Sequence, residues 1–199
     1  MAVIWFVSLC KIIVKNKIRK SLLEQGQLLS DDSILDKNIK IQSSAIDNID
    51  IQSSKNILLY FPYKKEITLD ILIKEIGRHS NNIYMPKLIS DIEMKFNFFD
   101  KNNLFTKNKY GITEIDNENY LDPISFDLMF IPFVGVDNAG YRLGYGGGYF
   151  DRALEGLNKN KPILIGLGYD YQISEKSFGE PHDIKYDIVI TENNIHRFK

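Results

Sequence analysis

The stretch GYRLGYGGGYFDRAL, residues 140–154, limits the fold more than any other part of this chain. Five of its first nine residues are glycine, out of 13 in the 199-residue sequence. Before it runs DLMFIPF (127–133), apolar from Leu128 onwards, as suits a strand buried on both faces of a parallel sheet. After it the pattern turns helical. A glycine-rich link of this kind sits at the carboxyl end of a strand, where open α/β sheets bind their ligands. Glycines let backbone N–H groups approach phosphate oxygens with no Cβ in the way. The N-terminal end of the following helix favours anions, and Arg142 and Arg152 can add bidentate contacts. Local chemistry also permits a plain strand-to-helix turn with no ligand.

The rest of the chain agrees with an α/β reading. A helix is expected over 15–29, and a second one runs from the capping residues of LSDDS (29–33) to about Ile46. ILLYF (57–61) reads as a buried strand closed by Pro62. In TLDILIKEIGRHS, Leu69, Leu72, Ile73 and Ile76 form one helical face, opened by Thr68 and loosened at Gly77. NIYMPKL and EMKFNFF are strands around a turn at 89–91; a helix over 150–158 and the strands ILIGLGY and DIVITE follow. Strands alternating with helices predict a single α/β domain with a largely parallel central sheet flanked by helices. Residues 100–122 are polar and irregular, a long loop of the kind that is either functional or mobile.

Composition excludes several classes. A net charge of −1, from 25 basic and 26 acidic residues, argues against a nucleic-acid binder. One cysteine, Cys10, allows no internal disulfide and no zinc-finger spacing. In the apolar segment 1–14 the lysines follow the apolar run, the reverse of a secretory signal, and the run is shorter than the about 20 residues that span a bilayer. It is expected to extend the first helix, with the domain proper over 15–199, and a cytoplasmic monomer is the expectation. His182 beside Asp183 suggests a metal pair, but no third ligand lies at useful spacing, which argues against zinc.

The glycine stretch fails two familiar phosphate motifs. GGGYFD lacks the Gly-Lys-Ser/Thr ending of a Walker A loop, and Tyr149 stands where a dinucleotide fingerprint starting at Gly144 needs its last glycine. The whole string FDLMFIPFVGVDNAGYRLGYGGGYFDRAL resembles instead the signature of 5-formyltetrahydrofolate cyclo-ligases, D-x-x-x-x-P-x-x-x-x-D-x-x-G-x-R-L-G-x-G-x-G-Y-[YF]-D. Asp127, Pro132, Asp137, Gly140, Arg142, Leu143, Gly144, Gly146, Gly148, Tyr149, Phe150 and Asp151 meet it. KNKIR, FPYKKEITLDIL, YMPK and GEPHDIKYDIVITE resemble further segments of that family in order, from Lys15 to about Thr191. Ile115, where the family carries proline, and PFVGVD depart from the pattern without removing a charged or motif-glycine position.

The resemblance implies an ATP- and Mg²⁺-dependent conversion of 5-formyltetrahydrofolate to 5,10-methenyltetrahydrofolate, with ADP and phosphate released. It implies ATP contacts from Lys15, Arg19 and residues 142–150, that is Arg142, Leu143, Gly144, Tyr145, Gly146, Gly147, Gly148, Tyr149 and Phe150. Phe61, Glu66 and residues 145–149 would hold the folate, Asp151 and Asp183 the Mg²⁺, and Tyr149 and Arg142 would act at the reacting groups. By residue type alone, Lys15 and Arg19 are also compatible with a solvated basic face, Phe61 with core and Glu66 with a partner for a neighbouring lysine. Two other classes stay open at this level: a silent folate- or nucleotide-binding module, and a sugar-phosphate isomerase-like enzyme that uses no ATP.

Overall fold

The computed structural model describes residues 2–79, 81–157 and 162–198. Along the chain come helices α1 (Ala2–Gln27) and α2 (Asp31–Asn48), strand β1 (Asn56–Leu58), helix α3 (Asp70–Ile76), and strands β2 (Asn82–Leu88), β3 (Met94–Phe98), β4 (Phe105–Lys107) and β5 (Thr113–Ile115). Strands β6 (Leu128–Phe130), β7 (Gly135–Val136) and β8 (Arg142–Leu143), helix α4 (Tyr149–Ala153), and strands β9 (Ile163–Leu167), β10 (Ile188–Ile190) and β11 (Ile195–Arg197) complete it. The main sheet has the order β11-β10-β9-β6-β1-β2-β3. Its five inner strands are mutually parallel, and only the edges β3 and β11 run antiparallel.

The parallel strands are apolar throughout because both faces are covered. In β1 and just beyond it, Ile57 and Leu59 join the core that α2 and α3 build with Ile41, Ala45, Leu72 and Ile76. Leu58 enters the opposite core with Phe96, Phe126, Phe150 and Tyr186. Leu128 and Phe130 of β6 divide from Met129 and Ile131 in the same way, so the period of two is kept across neighbouring strands. Ser30 caps α2 as its sequence suggests, accepting from the Ser33 amide at 3.3 Å. Helix α3 is capped from a distance instead. Gln42 Oε1 of α2 accepts the amides of Ile71 and Leu72 at 2.9 and 3.1 Å, which no local pattern announces.

Several expectations need correction. Within the supposedly irregular stretch 100–122, β4 and β5 pair as a hairpin, Phe105 opposite Ile115 and Lys107 opposite Thr113. Three-residue strands are too short to show alternation, and the hairpin is held by features outside it: Ile115 is fully buried and the Glu114 carboxylate accepts the Leu88 amide at 2.9 Å. The helix expected over 150–158 is only Tyr149–Ala153, and Asn158 lies outside the described residues. One turn and a half carries little macrodipole, so any anion here would be held by individual amides and side chains. The strand expected to reach Phe61 ends at Leu58; the buried Leu59 still donates its amide to Tyr84 O at 2.9 Å, and Tyr60 and Phe61 then line the cleft. Helix α1 runs unbroken through residues 14 and 15.

Candidate active site

From β1 the chain moves outward to β2 and later returns on the other side of β1 with β6. Connections leave β1 and β6 in different directions, which opens a crevice at their carboxyl ends. Tyr60 and Phe61 after β1 and Pro132 after β6 border a cleft of about 1650 Å³. Lys15 and Arg19 of α1, residues 142–152 and Asp183 line it as well. Every residue singled out from the sequence as a site candidate, Glu66 included, faces this one space.

The cationic wall is anchored by hydrogen bonds and a ring contact. Arg142 Nε donates to Pro132 O at 2.7 Å, and the guanidinium lies 5.3 Å over the Phe150 ring. The strand carrying Arg142 is held by Asp137, which is fully buried. Asp137 Oδ1 accepts the Ala139 and Tyr141 amides, and Oδ2 accepts those of Phe178 and Gly179, all at 2.9–3.0 Å. Burial raises its pKa, but these four donors outweigh that and hold the carboxyl below its ordinary value. Arg19 Nε donates to Gly144 O at 2.7 Å, pinning α1 to the glycine loop. Desolvation and the nearby Arg142 both lower the Arg19 pKa. Two guanidinium groups thus face one recess, and Arg19 has no carboxylate partner among the described residues. An anion between them would relieve the repulsion. Gly146 and Gly148, at φ 102° and 65°, take backbone conformations that suit glycine, and Gly148 leads directly into α4.

Asp151 Oδ2 lies 3.7 Å from Arg142 Nη1, and its Oδ1 accepts the Ile184 amide at 3.3 Å. That bond brings it beside Asp183. Asp183 Oδ2 accepts from the Glu180 amide at 2.7 Å and from Lys15 Nζ at 2.6 Å, and the same ammonium reaches Glu180 Oε2 at 2.9 Å. Burial pulls the Lys15 pKa down, yet its bonds to Asp183 and Glu180 prevail and raise it. No third group was found beside His182 and Asp183 in the sequence; the fold brings Glu180 to them, with one oxygen or nitrogen of each side chain within 4.8 Å of the others. Lys15 already satisfies the two carboxylates of that group.

The opposite wall is aromatic. Phe61 meets Phe99 and Phe105 edge-on, with ring centroids 6.5 and 6.0 Å apart. Tyr63 and Tyr145 meet at 5.2 Å across the cleft. Glu66 Oε2 accepts the Tyr63 amide at 2.8 Å. Desolvation raises the Glu66 pKa to about 7, although that amide and Arg142 pull it down. The β4–β5 hairpin supplies residues that sequence reading missed. Tyr110 at its tip places its hydroxyl 3.4 Å from that of Tyr149, with ring centroids 6.4 Å apart. Arg152 stacks over Tyr149 at 5.2 Å and donates to Gly147 O and Ile92 O at 2.9 and 2.8 Å. Only pairing of the hairpin brings Tyr110 here, so its spacing from Tyr149 in sequence carries no signal.

Fold and cleft together define an α/β protein in which a cationic, glycine-lined wall faces an aromatic one at the switch point of a parallel sheet. Residues 11–192 match the 5-formyltetrahydrofolate cyclo-ligase family. The 5-formyltetrahydrofolate cyclo-ligase of Haemophilus influenzae is 30% identical over 179 residues, covering 87% of this chain and 92% of that one. Its counterpart from Mycoplasma genitalium is 31% identical over 182 residues, covering 90% and 98%. The 5,10-methenyltetrahydrofolate synthetase of Aquifex aeolicus superposes with a TM-score of 0.81 at 28% identity, covering 94% of this chain and 93% of that one. This chain belongs to the 5-formyltetrahydrofolate cyclo-ligase family. Among the described residues no helix is long and apolar enough to cross a membrane.

Proposed function

We propose that this chain converts 5-formyltetrahydrofolate and ATP to 5,10-methenyltetrahydrofolate, ADP and phosphate in the cleft between β1 and β6. The reading is carried by one observation: the facing guanidinium groups of Arg19 and Arg142, the glycine loop, and the Phe61–Glu66 wall line a single space. A formamide oxygen leaves poorly as it stands. Transfer of the γ-phosphoryl to that oxygen forms an O–P bond and releases ADP. N10 then attacks the activated carbon, loses its proton, and phosphate departs with the C–O bond. Such a reaction asks the protein mainly for positioning and charge neutralisation.

Arg142 is built for that role, because its anchors at Pro132 O and the Phe150 ring fix the guanidinium before any ligand arrives. Arg19, Lys15 and the amides of residues 143–150 hold the nucleotide phosphates. The Tyr149 hydroxyl, steadied by Arg152 and Tyr110, orients the formyl group. Phe61 and Glu66 hold the pterin. With a pKa of about 7, Glu66 can meet the ring as a donor or as an acceptor near neutrality. The donor set at Asp151 and Asp183 is hard oxygen, as Mg²⁺ requires, and both carboxylates border the cleft next to the phosphate wall. Bound there, the ion would neutralise charge on the transferring phosphates. Lys15 would then give up its bond to Asp183 and turn towards the triphosphate.

The test combines purified protein with 5-formyltetrahydrofolate, ATP and Mg²⁺, and follows the methenyl product by absorbance. Product is expected only with all three, and Asp151→Asn should lose Mg²⁺-dependent turnover while its melting curve stays cooperative. Binding of folate and nucleotide without turnover would point to a silent module instead. Turnover without ATP would refute the proposed chemistry.

A further inference from the structure

We propose that Lys64 is a specificity residue that binds the carboxylates of the substrate's glutamyl tail at the rim of the cleft. The inference rests on the folate reading above and extends it to a residue outside the signature. Residues 63–66 form a tight turn: the Glu66 amide donates to Tyr63 O at 3.1 Å, and the Glu66 carboxylate closes it from the side chain. Lys64 is its second residue and has φ 55°, the only positive φ among the described non-glycine residues. Turns that need a positive φ at this position favour glycine, and a lysine there is strained. Strain kept at a cleft wall points to a side chain that supplies something glycine cannot.

That something is a cation with no anion. The Lys64 ammonium sits 4.9 Å from the Tyr63 ring centroid and 5.4 Å from that of Tyr145, held by two aromatic faces. It has no carboxylate partner among the described residues, whereas its neighbour Lys65 pairs with Asp31 at 3.2 Å. Lys64 is exposed at the rim yet lines the cleft, two residues from Glu66. With the pterin against Phe61 and Glu66, the flexible anionic end of the folate is what leaves the cleft past this residue. The nucleotide phosphates are a second source of negative charge, but Arg19, Arg142 and Lys15 already serve them from the other wall.

Calorimetric titration of the full chain separates these sources. Ligands are 5-formyltetrahydrofolate as mono- and triglutamate, the 5-formyltetrahydropteroate that lacks glutamate, and a non-hydrolysable ATP analogue. Lys64→Gly and Lys64→Met should weaken the monoglutamate about tenfold, the scale of one charge-assisted contact. Both should weaken the triglutamate at least as much and leave the pteroate and the nucleotide unchanged. Lys64→Arg should restore tail binding, and Lys64→Gly should also raise Tm as the strained turn relaxes. Equal losses for pteroate and monoglutamate, a loss confined to the nucleotide, or no loss at all would overturn the assignment. If the unaltered protein bound none of the folates, the folate reading itself would fall with it. Folate binding by the unaltered protein together with indifferent Lys64 variants would overturn this inference alone.

Discussion

Gly144 is glycine because of Arg142, and Gly144→Ala tests that. A Cβ built at Gly144 would lie 2.7, 2.8 and 2.9 Å from Nη2, Nη1 and Cζ of Arg142, where ordinary contacts begin at 3.4 Å. The guanidinium must retreat by about half an ångström, and its anchors resist that. Its Nε is bonded to Pro132 O, its plane lies on Phe150, and its side chain is only 8% exposed. Overpacking of this kind costs about 1–3 kcal/mol, and weakening the charged hydrogen bond adds to it. We expect a loss of about 3 kcal/mol in stability, or on the order of 10 °C in Tm for a chain of this size. A displaced Arg142 should lower turnover by about 100-fold and weaken nucleotide binding. Thermal melts by circular dichroism and titration with an ATP analogue measure both. Gly111→Ala is the control. There φ is +78° but no atom lies within 4 Å of the added Cβ, so it should cost about 1 kcal/mol from backbone strain and spare nucleotide affinity. Unchanged melting and nucleotide binding in Gly144→Ala would refute the reasoning, as would equal damage from Gly111→Ala.

Other expectations follow from the same geometry. The Glu66 pKa is raised from 4.5 to about 7, chiefly by desolvation, so this group's stability contribution is intact below pH 4.5 and is lost as pH climbs through about 7. The whole span is worth roughly 3 kcal/mol at about 1.4 kcal/mol per pH unit. Glu66→Gln should therefore melt increasingly above the unaltered protein from pH 5 to 8, and parallel Tm–pH curves would contradict the assignment. Asp137→Asn replaces an acceptor of four amides by a side chain that turns its own N–H groups towards two of them. It should cost about 3 kcal/mol and loosen the Arg142 strand, seen as faster amide exchange at residues 139–142. Because the Asp137 pKa is held low, its stabilisation should be present above pH 3.8 and fade below it.

The sheet was legible because its strands are buried on both faces, and apolar runs such as LMF and IVI have few other uses in a chain this polar. The glycine loop was legible from spacing, since the residues that converge on Arg142 lie within one stretch. What stayed hidden depends on contacts between distant segments. The hairpin that brings Tyr110 to Tyr149 is fixed by Glu114 bonding to Leu88, and the start of α3 by Gln42. Glu180 was visible as a letter in the C-terminal segment, but its union with Lys15 spans 165 residues. The short α4 shows the reverse error, a helical pattern that continued in sequence while the backbone did not.

That long span has a consequence for how the protein comes into being. Lys15 and Arg19 leave a ribosome well before their partners at Gly144, Glu180 and Asp183, which follow 125 to 168 residues later. Contacts so distant in sequence form late and slowly. The two halves of the cationic wall therefore meet only after residue 144 has emerged, and no nascent fragment that ends before it holds both. An interrupted chain would be silent rather than partly active. In refolding, the return of nucleotide binding should lag behind the return of helical signal, because it reports the closing of the whole chain.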